Sequence, residues 1–491
     1  MNAPEHRNPT KTSWPFFAHE DDYPELDAPG AVERLAEAIR CKTTSCVDTT
    51  LIDYGEFDRL HGLIRRSFPR VMGAASVEEI GHSLLITIPG SDPSLPPALL
   101  MAHQDVVPVV PGTEGDWTYD AFSGQVDDTF VWGRGTLDVK EMLMAELEAA
   151  ELVLGQEKPL RRTLLLAFGE DEECLQQGSR AIARTLEERG IRPAFLIDEG
   201  SYTFADGADY GAPGFRFKPV ELGEKGYCDV RVTAHSAGGH SSNPFGGTSL
   251  AHVCEAVARI AGAPWPVELS PLVEAAFGSL APHVCEEPFR SLIAPLPGES
   301  TAQAVARSAP AIARACSERK ALFPLVTTTV APTMLEGGSA GSNVMPQTVW
   351  AVVNFRLAPG TSSEAVAARC RELVADLPVE VDVFQQPSEP SEVDAGAVEN
   401  PGWAAAREAV ARYYRDPQTG QGLPIVPTLA TGGTDARMYE HICDACLRLG
   451  PMLVAPEETR RGVHGTDERI DRRAYVQSIR VLARIVEATC R

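Results

Sequence analysis

Several features that would place this chain in a common class of protein are missing from its sequence. It has no run of about 18 apolar residues, which excludes a predicted membrane-spanning helix. The first segment, MNAPEHRNPTKTSWPFF, has no apolar core, so we expect no secretory signal peptide. No internal repeat occurs. The GxSxG match at 337–341 (GGSAG) is not followed by a helical pattern, so the strand-turn-helix nucleophile of many serine hydrolases is not expected.

Positive charge and cysteine-pairing motifs are also scarce. The chain has 44 Lys and Arg residues against 68 Asp and Glu residues, a formal net charge of −24. A chain this acidic is expected to bind neither nucleic acid nor an anionic membrane through nonspecific charge. Its 11 cysteines have no regular spacing, and the pair Cys443 and Cys446 has no second pair to form a zinc knuckle. We therefore expect free thiols and a cytoplasmic protein.

The sequence does contain apolar strands that alternate with helical segments. Its 491 residues are too many for one compact core. The apolar patterns predict buried strands at 97–102, 163–168 and 193–197, and helices at 140–154 and 179–189. This alternation predicts an α/β fold with a mostly parallel sheet flanked by helices.

A different pattern begins near residue 223. Residues 264–325 are Pro-rich and look like an irregular insertion. The segments around them follow a β-α-β-β-α-β order, which predicts an inserted ferredoxin-like α+β domain. The predicted domains are a catalytic domain, first part, at 1–222, a lid and dimerisation domain at 223–388, and a catalytic domain, second part, at 389–491.

Each of the three apolar strands is followed by residues that can bind a metal ion. His103 and Asp105 follow the first, Glu172 and Glu173 the second, and Asp198 the third. The carboxyl ends of parallel strands meet at one edge of a sheet, so these side chains are expected to converge. For the first strand alone, a hydrogen-bonded His103–Asp105 pair without metal is the simpler interpretation. Three consecutive acidic strand ends favour a metal site.

Two more residues complete a candidate ligand set. Asp138 lies just before the helix at 140–154, and His464 lies in VHGTDE near the end of the chain. Zinc accepts both imidazole nitrogen and carboxylate oxygen. Two histidines and three carboxylates are too many for one tetrahedral ion with an open position, but they suit two ions that share a carboxylate. The set is His103, Asp138, Glu173, Asp198 and His464.

Nine motifs then occur in the order of one family: MAHQDVVP, WGRGTLDVK, GEDEE, LIDEG, GGHSSNP, NVMP, NFRLAPG, TGGTDAR and HGTDERI. From about residue 30 to its end, the chain resembles the dizinc amidohydrolases and metallopeptidases. These include aminoacylase, carboxypeptidase S, acetylornithine deacetylase, succinyl-diaminopimelate desuccinylase and glutamate carboxypeptidase. The sequence is most similar to the carboxypeptidase S and aminoacylase branch. The resemblance implies a zinc-exopeptidase-like catalytic domain, two Zn²⁺ per subunit (replaceable by Co²⁺ or Mn²⁺), and a homodimer formed through the lid.

The resemblance also implies a role for each candidate residue of the metal site. One zinc would be held by His103 and Asp198, the other by Glu173 and His464, with Asp138 bridging them. Asp105 would orient His103, and Glu172 would be the general base. The Asp138–Val139 peptide bond is expected to be cis.

A histidine on the inserted domain is expected to stabilise the oxyanion. His240 in GGHSSNP resembles the family's oxyanion-binding histidine, which in dimeric relatives enters the neighbouring subunit's site. His235 is the alternative. A serine hydrolase using Ser241 or Ser242 is a competing interpretation, but it leaves the carboxylate cluster unexplained.

The remaining candidates concern the substrate. Arg356 in NFRLAPG can bind a carboxylate through two hydrogen bonds, with a structural salt bridge as the alternative. Asn343 and the backbone at Gly432 and Gly433 are expected to complete this pocket, and Asp435 to shape the loop. The inferred enzyme hydrolyses an amide or peptide bond next to a free carboxylate, as a carboxypeptidase or dipeptidase acting on small peptides. An N-acyl-L-amino acid deacylase is the alternative, and a catalytically inactive metal-binding relative is a more remote one.

Overall fold

Two sheets, of nine and four strands, organise the chain. The computed structural model describes residues 16–156, 158–393, 395–455, 458 and 462–491. The helices are α1 (Ala28–Ile39), α2 (Tyr54–Ser67), α3 (Pro69–Ala74), α4 (Lys140–Leu154), α5 (Gln177–Glu188), α6 (Ser249–Gly262), α7 (Pro271–Leu280), α8 (Phe289–Leu292), α9 (Thr301–Ser317), α10 (Phe323–Val326), α11 (Ser363–Leu373), α12 (Pro401–Tyr413) and α13 (Arg472–Cys490). Among the described residues, no helix combines the length and apolar character needed to cross a bilayer.

The strands vary in length from two residues to thirteen. They are β1 (Ser76–Ile80), β2 (Ser83–Ile88), β3 (Ala98–His103), β4 (Gln125–Val126), β5 (Phe130–Trp132), β6 (Leu164–Gly169), β7 (Phe195–Asp198), β8 (Ala205–Gly207), β9 (Ala212–Glu224), β10 (Gly226–His235), β11 (Gly239–His240), β12 (Thr329–Gly337), β13 (Val344–Met345), β14 (Thr348–Leu357), β15 (Val379–Val383), β16 (Ile425–Ala430), β17 (Cys446–Arg448) and β18 (Arg469–Asp471).

The larger sheet is mixed, with a parallel centre. Its order is β1-β2-β6-β3-β7-β17-β9-β16, and β8 pairs with β9. The neighbours β6, β3, β7 and β17 are parallel. The β1–β2 hairpin joins β6 in antiparallel orientation, and β9 runs antiparallel to β17. The predicted α/β class is confirmed, but only the centre of the sheet is purely parallel because the hairpin and β9 run against it.

Helices cover both faces of the parallel centre. Every residue of β3 and β6 is buried, as expected for strands covered on two sides. On one face α4 packs against β3, α1 and α13. On the other face apolar side chains of α5, including Ile182 and Leu186, join Leu99 and Leu165 of the sheet. The carboxyl ends of β6, β3 and β7 therefore open at a single edge.

The smaller sheet has the order β12-β14-β10-β15, with every neighbouring pair antiparallel. Helix α6 packs against β10 and β14, and α11 packs against β10 and β15. The chain order β-α-β-β-α-β with this strand order is ferredoxin-like. The predicted lid fold is confirmed.

The segment between α6 and β12 differs from the expected irregular insertion. It contains α7 to α10, and Leu272, Phe277 and Phe289 belong to the core of the larger sheet. Helix α7 packs against β16 and β9. The predicted boundary at 223–388 assigns this segment to the lid, yet the segment covers the catalytic sheet. The prolines in this segment suggest loops, but Pro271 and Pro324 lie in the first turns of helices, where the missing N–H has no cost.

Candidate metal centre

Two histidines contact the same carboxylate at the carboxyl edge of the sheet. Nε2 of His103 lies 3.1 Å from Oδ1 of Asp138, and Nε2 of His464 lies 3.0 Å from Oδ2. Oε1 of Glu173 lies 3.1 Å from the same nitrogen of His464. Asp138 thus stands between the two imidazoles, as a bridging ligand would. The Asp138–Val139 peptide bond is cis, as the resemblance implied.

Asp105 holds two parts of the site together. One of its oxygens lies 3.2 Å from Nδ1 of His103, at the end of β3. The carboxylate also accepts hydrogen bonds from the backbone N–H of Glu172 at 3.1 Å and of Glu173 at 3.2 Å. The hydroxyl of Ser45 donates to it as well. Asp105 therefore orients the imidazole and fixes the loop after β6, although it is fully buried and offers no open position.

At the third strand end, the residue after the predicted Asp198 lies close to His103. Both oxygens of Asp198 accept backbone hydrogen bonds of 2.8 Å, from the N–H of Glu199 and of Ala436. The next residue, Glu199, places Oε1 3.7 Å from Nε2 of His103. Glu199 therefore joins the candidate ligand set, because it lies just beyond the end of β7 and Asp198 is still within the strand. The role of Asp198 as a ligand stays a prediction.

Two overlapping groups of donors surround His103. Its donor atom and those of Glu172 and Glu199 lie within 4.8 Å of one another, and the same holds for His103, Asp138 and Glu173. Glu172 is therefore adjacent to the cluster, where a general base has to be. Imidazole nitrogens and carboxylate oxygens in this number are the donors that zinc and related divalent ions prefer.

The cluster contains more negative charge than its two imidazoles balance. Burial raises the pKa of Glu172 and of Glu199 well above the usual value, and repulsion from Asp138 adds to the shift at Glu199. Hydrogen bonds to Asp138 and Glu173 raise the pKa of His464 to about 10. Bound divalent cations would favour the ionised carboxylates and displace that proton. The donor types, their spacing and their charge all fit metal ions.

Among the described residues, the predicted lid residues form no hydrogen bond or ion pair with this cluster. His240 and Asn343 are exposed on neighbouring chain segments, because β11 pairs with β13 and the N–H of Ser241 donates to the carbonyl of Asn343 at 3.0 Å. Nδ1 of His240 lies 2.8 Å from Oγ of Ser242. Within the described part of this single chain, His240 forms no hydrogen bond or ion pair with the metal-binding residues.

Arg356 lies on β14 and is half-buried. Its guanidinium carbon lies 4.9 Å from the ring centre of Tyr227 on the paired strand β10. None of the described carboxylates forms a salt bridge with Arg356. The alternative role for Arg356, a structural salt bridge, is therefore not observed among the described residues. The guanidinium therefore keeps its hydrogen-bonding edge available.

The TGGTDAR loop follows β16 and contacts the strand-end residues. Gly432 and Gly433 are exposed, and the N–H and hydroxyl of Thr434 donate to Glu224 at 3.1 and 2.6 Å. Asp435 is buried, and it does not belong to the groups of candidate ligands among the described residues. The loop is thus tied to the end of β9, where the chain passes to the lid.

A donor cluster of this kind, at the carboxyl edge of a helix-flanked sheet with an adjacent carboxylate, defines a metal-dependent hydrolase. The profile of peptidase family M20/M25/M40 matches residues 99–488. The chain belongs to this family, which confirms the resemblance and the predicted hydrolytic activity.

Individual relatives extend the match over most of the chain. N-fatty-acyl-amino acid synthase/hydrolase PM20D1 of Homo sapiens is 31% identical over 447 residues, 89% of this chain and 82% of that protein. Probable carboxypeptidase S-like 2 of Dictyostelium discoideum is 29% identical over 479 residues, 96% of this chain and 87% of that protein. The crystal structure of human carnosine dipeptidase 1 has a similar fold, with a TM-score of 0.64 at 16% identity, covering 96% of this chain and 99% of that one.

Proposed function

We propose that the chain is a dinuclear zinc hydrolase that cleaves an amide bond next to a free carboxylate in small peptides. The observation that carries this proposal is the position of Asp138 between two histidines, with Glu172 beside them. One ion would be held by His103, Asp138 and Glu199, and the other by Asp138, Glu173 and His464.

When bound, two zinc ions would polarise the scissile carbonyl and make a water molecule acidic near neutral pH. Glu172 accepts a proton from the attacking water and returns it to the leaving nitrogen as the C–N bond breaks. Burial raises the pKa of Glu172, which is the direction that helps a carboxylate to hold the proton between the two transfers. The products are a carboxylate and a free amine.

The half-buried Arg356 supports the requirement for a carboxylate. It has no described carboxylate partner, and a guanidinium binds a carboxylate through two parallel hydrogen bonds. We propose that it anchors the carboxylate of the substrate's C-terminal residue. Asn343 and the exposed backbone at Gly432 and Gly433 would complete the pocket once the lid and the catalytic domain enclose the substrate.

Hydrolysis is expected to depend on that free carboxylate. In a set of substrates sharing one C-terminal residue, the free acids should be cleaved and their C-terminal amides should be cleaved at least about tenfold more slowly, the loss expected for one charge-assisted contact. Arg356→Met should remove most of the difference by raising KM for the acid. Arg371, which is exposed at the end of α11 and donates to the carbonyl of Val381 at 3.2 Å, provides a control as Arg371→Met. Equal rates for acid and amide with the native enzyme would contradict the proposal.

An N-acyl-amino acid hydrolase is the second candidate function. The relative from Homo sapiens named above supports it, because its name specifies N-fatty-acyl-amino acids and its similarity covers 89% of this chain. Both substrate classes present the same amide and carboxylate, so the metal centre and Arg356 serve either. Including N-acyl derivatives of the same C-terminal residue beside the dipeptides decides between them by the ratio of kcat/KM.

We propose further that the active form is a homodimer joined through the lid. β12 is an edge strand, with an unpaired side along which a second copy can add. Met334 and Leu335 on this strand are 48% and 60% exposed, and Phe245, close to His240, is 95% exposed. Because His240 does not contact its own chain's metal-binding residues, we propose that it completes the partner's site as the oxyanion donor.

Mixing two inactive variants tests this arrangement. His240→Ala and Glu172→Gln should each lose activity, whereas a 1:1 mixture with exchanged subunits should recover about a quarter of the native rate, since half of the dimers carry one complete site. Subunit exchange is checked by native mass spectrometry. An exchanged mixture as inactive as its components, or a fully active monomer, would contradict the dimer.

The cellular location is a related proposal. All 11 cysteines are free thiols, which is the usual state in a reducing compartment. We therefore propose that the enzyme acts in the cytoplasm.

A further inference from the structure

Glu468 connects the two segments that carry Asp138 and His464. It is fully buried and lies four residues after His464 in the HGTDE motif. Its Oε1 accepts hydrogen bonds from the backbone N–H of Gly135 and of Leu137, each at 2.9 Å. Leu137 directly precedes Asp138. One carboxylate therefore bonds to the backbone beside the bridging ligand and belongs to the segment of the second histidine.

Arg134 supplies the charge that makes this connection rigid. It is 2% exposed, and its Nη1 donates to Oε2 of Glu468. The ring of Trp117 covers the guanidinium at 5.4 Å. Both oxygens of Glu468 are thus satisfied, one by a cation and one by two amides. In a buried site, displacement of one partner would leave the charge or the N–H groups of the others without a hydrogen bond, which is costly. The arrangement therefore resists movement.

The segment that Glu468 holds is also packed tightly on its other side. Gly133 donates its N–H to the carbonyl of Glu468 at 2.9 Å. Gly133 has φ +139, and a Cβ there would lie 2.4 Å from Cγ2 of Ile39; Gly135 has φ +92, and a Cβ there would lie 2.8 Å from Cγ1 of Val106. Asp138 is therefore fixed against the core, and Glu468 transfers that fixed position to the His464 segment.

The two histidines of the metal centre are held differently. Nδ1 of His103 has Asp105 as its partner at 3.2 Å. No described residue bonds to Nδ1 of His464, whose side chain is 51% exposed. A ligating histidine is normally oriented by a partner on its second nitrogen, and loss of that partner weakens metal binding. The position of His464 thus depends on its backbone rather than on such a partner.

We propose that Glu468 is a positioning residue that sets the separation of Asp138 and His464 and thereby determines how tightly the second metal ion is retained. The inference rests on the proposed dinuclear site. The second ion is the one held by Glu173 and His464, on the half-exposed side of the cluster. Glu468 itself contacts neither substrate nor metal.

Cobalt titration of chelator-treated protein measures this role directly. The visible absorption of bound Co²⁺ reports each ion, and activity on one substrate is recorded at every Co²⁺ concentration. The variants are Glu468→Gln and, as a matched control, Asp467→Asn. The Asp467 carboxylate bonds to the N–H and hydroxyl of Thr118 in an exposed loop rather than to the Asp138 segment.

The native protein and Asp467→Asn are expected to bind two equivalents of Co²⁺ with similar affinities. Glu468→Gln should bind the first ion normally and the second at least about tenfold more weakly, the lower end of the effect of losing a residue that supports a ligand. Its kcat should be low at limiting Co²⁺ and should recover at high Co²⁺, with KM for substrate unchanged. A merely structural role would not produce this recovery by metal.

Folded Glu468→Gln that binds both ions with native affinity would overturn the inference. If circular dichroism shows that this variant does not fold, Arg134→Gln replaces it, because it keeps the carboxylate and its two amide bonds. Weakened second-ion binding in Arg134→Gln supports the inference, and unchanged binding overturns it. A native protein that binds fewer than two ions, or hydrolyses nothing, contradicts the proposed function itself and is detected before any variant is compared.

Discussion

Replacement of Glu172 by glutamine is expected to lower kcat about a thousandfold, the middle of the usual range for loss of a general base. Glutamine keeps the size of the side chain but cannot accept and return a proton. The donor atom of Glu172 lies within 4.8 Å of those of His103 and Glu199, but the proposed ligand set does not use it. Metal content should therefore be unchanged. Steady-state kinetics and elemental analysis on the same preparation measure both quantities.

Glu170→Gln is the matched control for this prediction. Glu170 precedes Glu172 in the same acidic loop, but its carboxylate accepts hydrogen bonds from Ser83 and the backbone of His82, away from the cluster. Its kcat should stay within about threefold of the native value, because a glutamine oxygen can still accept these bonds. A Glu172→Gln enzyme that keeps more than a tenth of the native kcat would remove Glu172 from the role of general base.

Replacement of Asp138 by asparagine is expected to remove activity below detection and to reduce the bound metal from two ions to one. Each oxygen of Asp138 contacts a different histidine, at 3.1 and 3.0 Å. An amide offers one neutral acceptor oxygen and two donor hydrogens, so it cannot serve two cations. The first ion keeps His103 and Glu199, whereas the second keeps Glu173 and the half-exposed His464. Elemental analysis after gel filtration gives the number of ions retained.

Asp128→Asn provides the control for charge alone. Asp128 is exposed on the turn between β4 and β5, ten residues before Asp138. It should retain two ions and the native rate. An Asp138→Asn protein with two tightly bound ions would show that this carboxylate does not bridge them.

Much of the candidate site is predictable from sequence because a parallel sheet collects its strand ends at one edge. His103 is the last residue of β3, and Glu173 lies shortly after β6. Both follow apolar runs that are recognisable without a structure. Asp138 and His464 lie outside the sheet, so strand periodicity does not place them. Their residue types made them candidate ligands, and the family resemblance implied their roles.

Strand patterns do not show whether Asp198 or Glu199 lies closer to His103. β7 pairs with β3 so that Ile197 lies opposite Leu100. Asp198 is therefore opposite Met101, two residues before His103. Its carboxylate accepts hydrogen bonds from two backbone N–H groups. Glu199 is the next residue and reaches the edge. The register of two distant strands decides this, and single-sequence patterns do not contain that register.

The packing of the Pro-rich segment at 264–325 is also not predictable from sequence patterns, because it depends on tertiary structure. Periodicity at α6, β14 and α11 is sufficient to predict the lid. Of the intervening helices, α7 packs against the larger sheet and α9 packs against α7, with buried residues such as Val273, Ile312 and Cys316. Their prolines suggested loops. Which sheet they cover depends on tertiary packing, which a boundary placed by chain order does not take into account.

The most direct test of the central claim is stepwise return of zinc to chelator-treated protein while hydrolysis of a carboxylate-bearing amide is followed. The proposed site predicts no activity without metal, two ions bound per chain, and full activity only when the second equivalent is added. Full activity in the metal-free protein, or saturation of binding and rate at one ion per chain, would contradict it.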